Sequence, residues 1–475
     1  MKNKNLSNQQ LGGGNLENFN SLNRFLNSKE NLNSKSLSRK FLFSLAAVSV
    51  LATYADAKIN GGGCNNTTCG TVSSSQNSAI TVSETDNTSL TIESGGSVNV
   101  TNSEAINFSN DSSIQTFENK GTVVGGNNNG SIIIGNSNGN GATITTFENS
   151  GTIGNGSSKF GVVIWAKDDN TKSTITNFNN SGTISSNTGE SIFIKNTTID
   201  NFTNSGTISS SQQQGINISS GVTISTFENS GIIGNGISRF GITVSGSESK
   251  KSTITNFNNS GIINSSTGES VFTKNTTITT FENSGTIKSN STYGINISDG
   301  STIDKFINKG IITSYGNNEP TDDSTTYTSS GIRLQRAHIK TFENTGTILG
   351  KNGLTVTAST IDKFENTGLI ESTSEHKLGA AVDITNLTGD VTTIKNFTNS
   401  GTIKANNASG ILIEAGNKIE TLNNKGTIEA SLYGISFFTV DQYGKEIDLG
   451  QINLESSSVI KAGQDGIHID GSDRG

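Results

Sequence analysis

Basic residues are in no excess in this chain. Its 33 Lys and Arg stand against 40 Asp and Glu, a net charge of -7 over 475 residues. A nucleic-acid binder needs a basic face, and this balance argues against one, just as it disfavours tight docking on anionic lipid. Charge of either sign is scarce, at 15%, so self-repulsion does not hold the chain open. Apolar residues make up only 30%, proline occurs once (Pro320), and 55 glycines accompany long runs of Asn, Ser and Thr. Taken alone, such figures suit a disordered polar tract. The apolar residues that are present, however, are mostly Ile, Val and Phe at regular intervals, which points to a repetitive β-protein. Catalytic motifs are missing as well. His338, His376 and His468 fall in different repeats without metal-ligand spacing, and no GxSxG elbow occurs.

The N-terminus reads as an address. Lys35, Arg39 and Lys40 precede the apolar run Phe41 to Ala52, and "YADA" follows it. Ala55 and Ala57 form the small-x-small pattern of a signal peptidase site, which predicts cleavage after Ala57. The run is too short to anchor in a bilayer. The mature chain carries no comparable apolar segment. Directly after the signal comes "GGGCNNTTCG" with the only cysteines, Cys64 and Cys69. In an oxidising compartment they would close a small structural disulfide loop. Two thiols with no nearby His do not complete a tetrahedral metal shell, and the four-residue spacing does not suit a CxxC redox pair.

What the chain has in abundance is one motif. "ITTFENSGTI" at Ile144 to Ile153 returns verbatim at Ile278 to Ile287. The general form I-x-x-[FL]-x-N-x-G-x-[IV] occurs twelve times, centred on Phe117, Phe147, Phe178, Phe202, Phe227, Phe257, Phe281, Phe306, Phe342, Phe364, Phe397 and Leu422. The matching asparagines are Asn119, Asn149, Asn180, Asn204, Asn229, Asn259, Asn283, Asn308, Asn344, Asn366, Asn399 and Asn424. A longer duplication lies on top, a block beginning "TITTFENSGTIGNG" being echoed some eighty residues later.

Phe178, Asn180, Gly182 and Ile184 are two residues apart, so in an extended strand they share one face. Ile175 has the wrong parity to join them without a break, and a corner is expected between Ile175 and Phe178. A second strand with alternate apolar residues follows in each repeat, as in "GVVIWA" (161–166), "SIFIKN" (191–196), "GINISS" (215–220) and "GILIEA" (410–415). Short strands returning every 25 residues or so predict an all-β, right-handed parallel β-helix of about fifteen coils, each burying its apolar face on the next. The Phe and Asn sets would form two interior ladders, the stacked carboxamides bonding from coil to coil. The Gly would serve either a close approach or a positive φ. The domain plan is residues 1–57 as extended signal, 58–112 as N-terminal cap and first coils with the Cys64/Cys69 loop, and 113–475 as repetitive β-helix.

Insertions belong outside such a solenoid. The longest interval, between Phe306 and Phe342, carries Ser314 to Ser330, with Pro320, Asp322, Asp323 and two Tyr. This loop is the best candidate for touching a partner. Asp168 and Asp169 read as a solvated turn. "GQDGIHIDGSD" near the C-terminus faintly suggests a calcium repeat but occurs once, and its Ile467 and Ile469 fit the ordinary second strand. No catalytic residue, metal site or cofactor is expected.

The long polar region before the signal core, the cysteine-poor mature chain and the F-x-N-x-G-x-I coils together resemble the passenger region of type V secretion autotransporters. The similarity is to the large VacA-like and adhesin-like passengers of Campylobacter and Helicobacter, and it covers Lys58 to Gly475. It implies export through the inner membrane, a C-terminal translocating β-barrel, and display at the cell surface or release. Barrel strands are not found in this sequence, so the barrel is expected beyond it and the chain is read as truncated. The expected role is a non-enzymatic adhesin or aggregation factor binding host-cell or bacterial surface ligands, with no nucleic-acid partner. A secreted toxin is the alternative, and a polysaccharide-active β-helix enzyme ranks third.

Overall fold

A computed structural model describes residues 70–127, 130–319, 329–385, 389–438, 448 and 450–470. The chain divides into two units, Met1–Ala55 and Asp56–Gly475. The first lies outside the described residues, as do Ala57, Cys64 and Cys69, so the signal sequence, its cleavage site and the disulfide stand as expectations.

The second unit is a parallel β-helix. Three sheets of fifteen parallel strands run its length, and successive strands of one sheet come from successive coils. Among the described residues there is no α-helix and one 3₁₀ turn, Asp169–Thr171. The first sheet carries the I-x-x-F-x-N segment, for example Ser173–Asn180. The second is short, its strands two to four residues long, such as Thr183–Ser186. The third contains the segments read from sequence as second strands, Phe160–Trp165 among them.

Each coil therefore has three strands, and the corner falls elsewhere than expected. Ile175 and Phe178 lie on one continuous strand, both buried, with Thr176 and Asn177 between them facing outward. The parity break is real, but it is a bend within the strand. Thr176 drops out of the register that pairs Ile175 with Ile199 and Asn177 with Asn201. The same position is skipped in coil after coil, so the bends stack on one another and the residues on either side stay in register. The true corner is at Ser181 and Gly182, whose amides both donate to Asn149 O of the preceding coil, at 2.7 and 3.0 Å.

That corner decides between the two uses of glycine. Gly182 has no positive φ. A Cβ on it would instead sit 2.1 Å from Gly151 O, and the same clash, at 2.0 to 2.2 Å, recurs from Gly151 to Gly426 along the column. Glycine is required because consecutive corners are stacked backbone on backbone.

Inside, the two ladders form as the parity predicts. The rings from Phe147 to Phe397 stack with centroids 4.4 to 5.0 Å apart and planes within 12°. This near-parallel arrangement is imposed by the strand spacing, since isolated ring pairs favour offset or edge-on geometry. Phe117, nearer the N-terminus, is tilted by 45° against Phe147. Beside the rings, eleven carboxamide bonds of 2.7 to 2.9 Å join Asn119 to Asn424 without a gap. In each, the earlier Asn donates through Nδ2 to Oδ1 of the next. From Asn149 on, the second proton reaches the carbonyl of the Gly two residues on, as in Asn180 to Gly182 at 3.3 Å. Buried amides of this kind are tolerable because they are satisfied. The columns end where the sequence changes: Leu90 and Ile92 precede Phe117 and Asn119, and Ile452 and Leu454 follow Leu422 and Asn424.

Candidate functional site

With the interior occupied by ladders, any ligand chemistry must lie on the outer faces, corners and loops. The Ser314 to Ser330 loop has a firmly built base. Residues 320–328, which include Pro320, Asp322 and Asp323, lie outside the described residues. On the near side, Ser314 Oγ donates to Thr292 O at 2.6 Å. The two ends meet where Ser329 N donates to Asn318 O at 3.0 Å. Glu319 pairs with Lys351 at 2.5 Å and accepts from Ser374 Oγ at 2.7 Å. Burial pushes the Glu319 carboxyl up, yet hydrogen bonds from Lys351, Ser374 and the Glu375 amide outweigh it and hold it below its ordinary range. Tyr315, 57% exposed, lies under the Lys288 ammonium at 4.7 Å. The base thus bridges coils ahead of and behind it, with one aromatic ring open to solvent.

The other polar groups singled out in the sequence serve the scaffold. Asp168 caps the 3₁₀ turn, accepting from Asn170 N at 2.9 Å. Asp169 sits between Lys172 and Lys250, at 3.4 and 3.2 Å. Lys250 belongs to a small hairpin closed by Ser247 and Lys250, and it also reaches Asn196 Oδ1 at 2.6 Å. His338 contacts Asp362 at 3.1 Å, and Lys395 contacts the other oxygen of that carboxylate at 2.8 Å. The Lys395 hydrogen bond, followed by that from His338, holds Asp362 below the usual carboxylate range. His376 Nδ1 accepts from Leu378 N at 3.3 Å. His468 pairs with Asp465 at 2.9 Å and stacks on Tyr433 at 3.8 Å. The three histidines are not brought together. Ile467 and Ile469 do take the expected strand positions, in register with Ile435 and Phe437. Among the described residues no three His, Cys, Asp or Glu side chains are grouped to hold a metal ion, and no helix is long and apolar enough to cross a membrane.

Two features of the outer surface escaped the sequence reading. From Ile295 to Ile413 the third sheet is buried on both faces, so that Asn296, Arg333, Thr355 and Asp383, outward by parity, are 4 to 6% exposed. Nearer the N-terminus the same outer face carries aromatic side chains instead, Trp165 and Phe193 meeting edge to face at 6.3 Å. Phe193 signals this position in the sequence, since it occupies the polar slot of an alternating strand. No known protein family, curated protein or solved structure matches the chain.

Proposed function

We propose that this chain is the passenger of a type V autotransporter and acts outside the cell as a non-enzymatic adhesin or aggregation factor. The observation that carries this reading is the division of labour in the coil. Every Phe, Asn and Gly of the repeat is committed to stacking, and the acids and lysines singled out above are engaged, most of them in ion pairs, several of which join one coil to the next, as Lys395 with Asp362 and Lys351 with Glu319. What remains free is a polar surface repeated at the strand spacing, together with an inserted loop on a braced base. A surface of that kind suits attachment through many weak contacts, whose effective concentration rises with each one made.

The test is to display Lys58 to Gly475 on a non-adherent bacterium through a surrogate translocator barrel, then to measure autoaggregation and binding to epithelial cells. A gain in either is expected. No gain, accompanied by vacuolation or permeabilisation of cells by the soluble passenger, overturns the adhesin reading in favour of a toxin.

A further inference from the structure

The outer face of the third sheet departs from the rest of the surface around Phe193. Val163, Phe193 and Asn217 occupy one outward column in register on three consecutive strands. Val163 is only 3% exposed although it points away from the core. Trp165 holds the next outward position of the preceding coil and meets the Phe193 ring in a T-shaped arrangement, the planes at 82°. Its indole N–H is turned aside onto Gly135 O at 3.3 Å. On the other flank Asn217 Nδ2 donates to Glu190 Oε1 at 2.9 Å. That bond leaves Glu190 Oε2 and Asn217 Oδ1 as neighbouring acceptors, and the exposed Lys195 follows Phe193 by two residues on the same outward parity.

We infer that this patch is a binding site for a neutral oligosaccharide. A pyranose ring has one face of C–H groups and a rim of hydroxyls that each donate and accept. The first fits the Trp165 and Phe193 rings, and the second fits the Glu190 carboxylate and Asn217 amide held together on one flank, with the exposed Lys195 two residues beyond Phe193. One acid and one base leave no net charge to select an ionic ligand. The patch is a handful of side chains, well short of the roughly 1,000 Å² that a stable protein partner needs. It also rests on paired strands, so little order has to be imposed on binding. The long internal duplication repeats the set: "GESIFIKN" (189–196) returns as "GESVFTKN" (268–275). Asn296 Nδ2 then bonds Glu269 Oε1 at 3.2 Å, as Asn217 bonds Glu190. That second copy is closed over, with Asn296 4% exposed and the Arg333 guanidinium lying on the Tyr293 ring at 5.2 Å. The open copy is the one that holds tryptophan.

The inference names a ligand class for the adhesive role and rests on that reading. Trp165 is the only tryptophan in the chain, so its fluorescence reports this patch alone. Purified full-length protein is titrated with lacto-N-tetraose, chitotetraose and maltotetraose while emission and acrylamide quenching are recorded. At least one sugar should shift and shield Trp165 saturably. F193A and N217A, both on the outer face, should weaken that response about tenfold or more, with unchanged circular dichroism and denaturation midpoint. No response to any of the three at millimolar concentration overturns the site. A response to proteins alone, surviving periodate treatment of the added material, overturns it too, in favour of a protein interface. Displayed F193A/N217A protein separates the two readings. Full attachment to cells by the double variant overturns the sugar site as the ligand class of the adhesive role and leaves adhesion standing. A sugar response by a protein that confers no attachment supports the site and removes the adhesive role.

Discussion

Two stretches of the first sheet share one interior and differ on the outside. From Thr143 to Thr302 one outward column is an unbroken row of threonines, Thr174, Thr198, Thr223, Thr253 and Thr277 lying between them in register. Beyond Thr302 the same column reads His338, Thr360, Thr393 and Lys418. The neighbouring columns there fill with charge. Lys340 pairs with Asp304 at 2.6 Å, Lys305 with Glu343 at 3.2 Å, and Asp362 with both His338 and Lys395. Each pair joins consecutive coils. Inside, the rings and carboxamides pass from one stretch to the next unchanged. The stacking code therefore dictates the interior alone, and the exterior can be rewritten from hydroxyls to ion pairs without disturbing it.

Breaking the shared interior should cost the same in both stretches. Phe178→Asp and Phe364→Asp each bury an unpaired carboxylate between rings, with an expected loss of several kcal/mol. Because coils contact only their neighbours, the loss should be read locally, by hydrogen exchange of the flanking strands. Unequal losses would show that the exterior supports one stretch more than the other. Cutting the amide ladder is milder. Asn229→Ala removes the acceptor of one Asn204 Nδ2 proton and orphans Asn259 Oδ1, so about 2 to 4 kcal/mol is expected at those coils, and Asn366→Ala should match it in the charged stretch.

Acid should separate the two regions. Asp362 lies below its ordinary range because of Lys395 and His338. In Asp299, burial opposes the hydrogen bonds from Arg336 and Lys274, which prevail and lower it as well. A carboxyl whose folded pKa is depressed contributes stability above its unfolded pKa, about 4, and loses it as pH falls through the folded value. Between pH 5 and pH 2 the coils from about 299 to 395 should therefore lose protection before the threonine-faced coils do. These pairs are largely exposed, so each contributes little, and less in high salt. Exchange measured at both pH values, with and without added salt, checks this. Simultaneous loss along the whole array would contradict it. The smallest effect belongs to Asn179→Asp, outward beside Phe178, which should change the denaturation midpoint hardly at all.

How much of this was legible follows from the range of each signal. Phe178, Asn180 and Ile184 announce a buried face because alternation is local and period two survives any change in coil length. The same rule hid the third strand. Parity continues across Ser181 and Gly182, so the corner between two sheets reads as one strand, while the bend at Thr176 reads as a corner. Which of the two turns the chain depends on where Gly182 meets Gly151, a contact made only when the coils are stacked. Pairs such as Lys340 with Asp304 or Lys395 with Asp362 were out of reach for a related reason. Coil lengths vary, and only the register brings residues more than thirty positions apart onto adjacent strands. Trp165 and Phe193 were visible as letters, but their meeting depends on that register too.

The carboxamide column has a sense. From Asn119 to Asn424 every amide hands its proton in the same direction along the chain, so each coil offers its successor the donor it received from its predecessor. A coil is thus a unit with matching plug and socket, and any one can be doubled or deleted between two others with the hydrogen-bond circuit still closed. Unequal recombination between near-identical stretches such as those at Phe147 and Phe227 lengthens or shortens the array while leaving it able to fold. Reach becomes a quantity that copying can adjust, one strand spacing at a time, independently of whatever the outer faces are selected to hold.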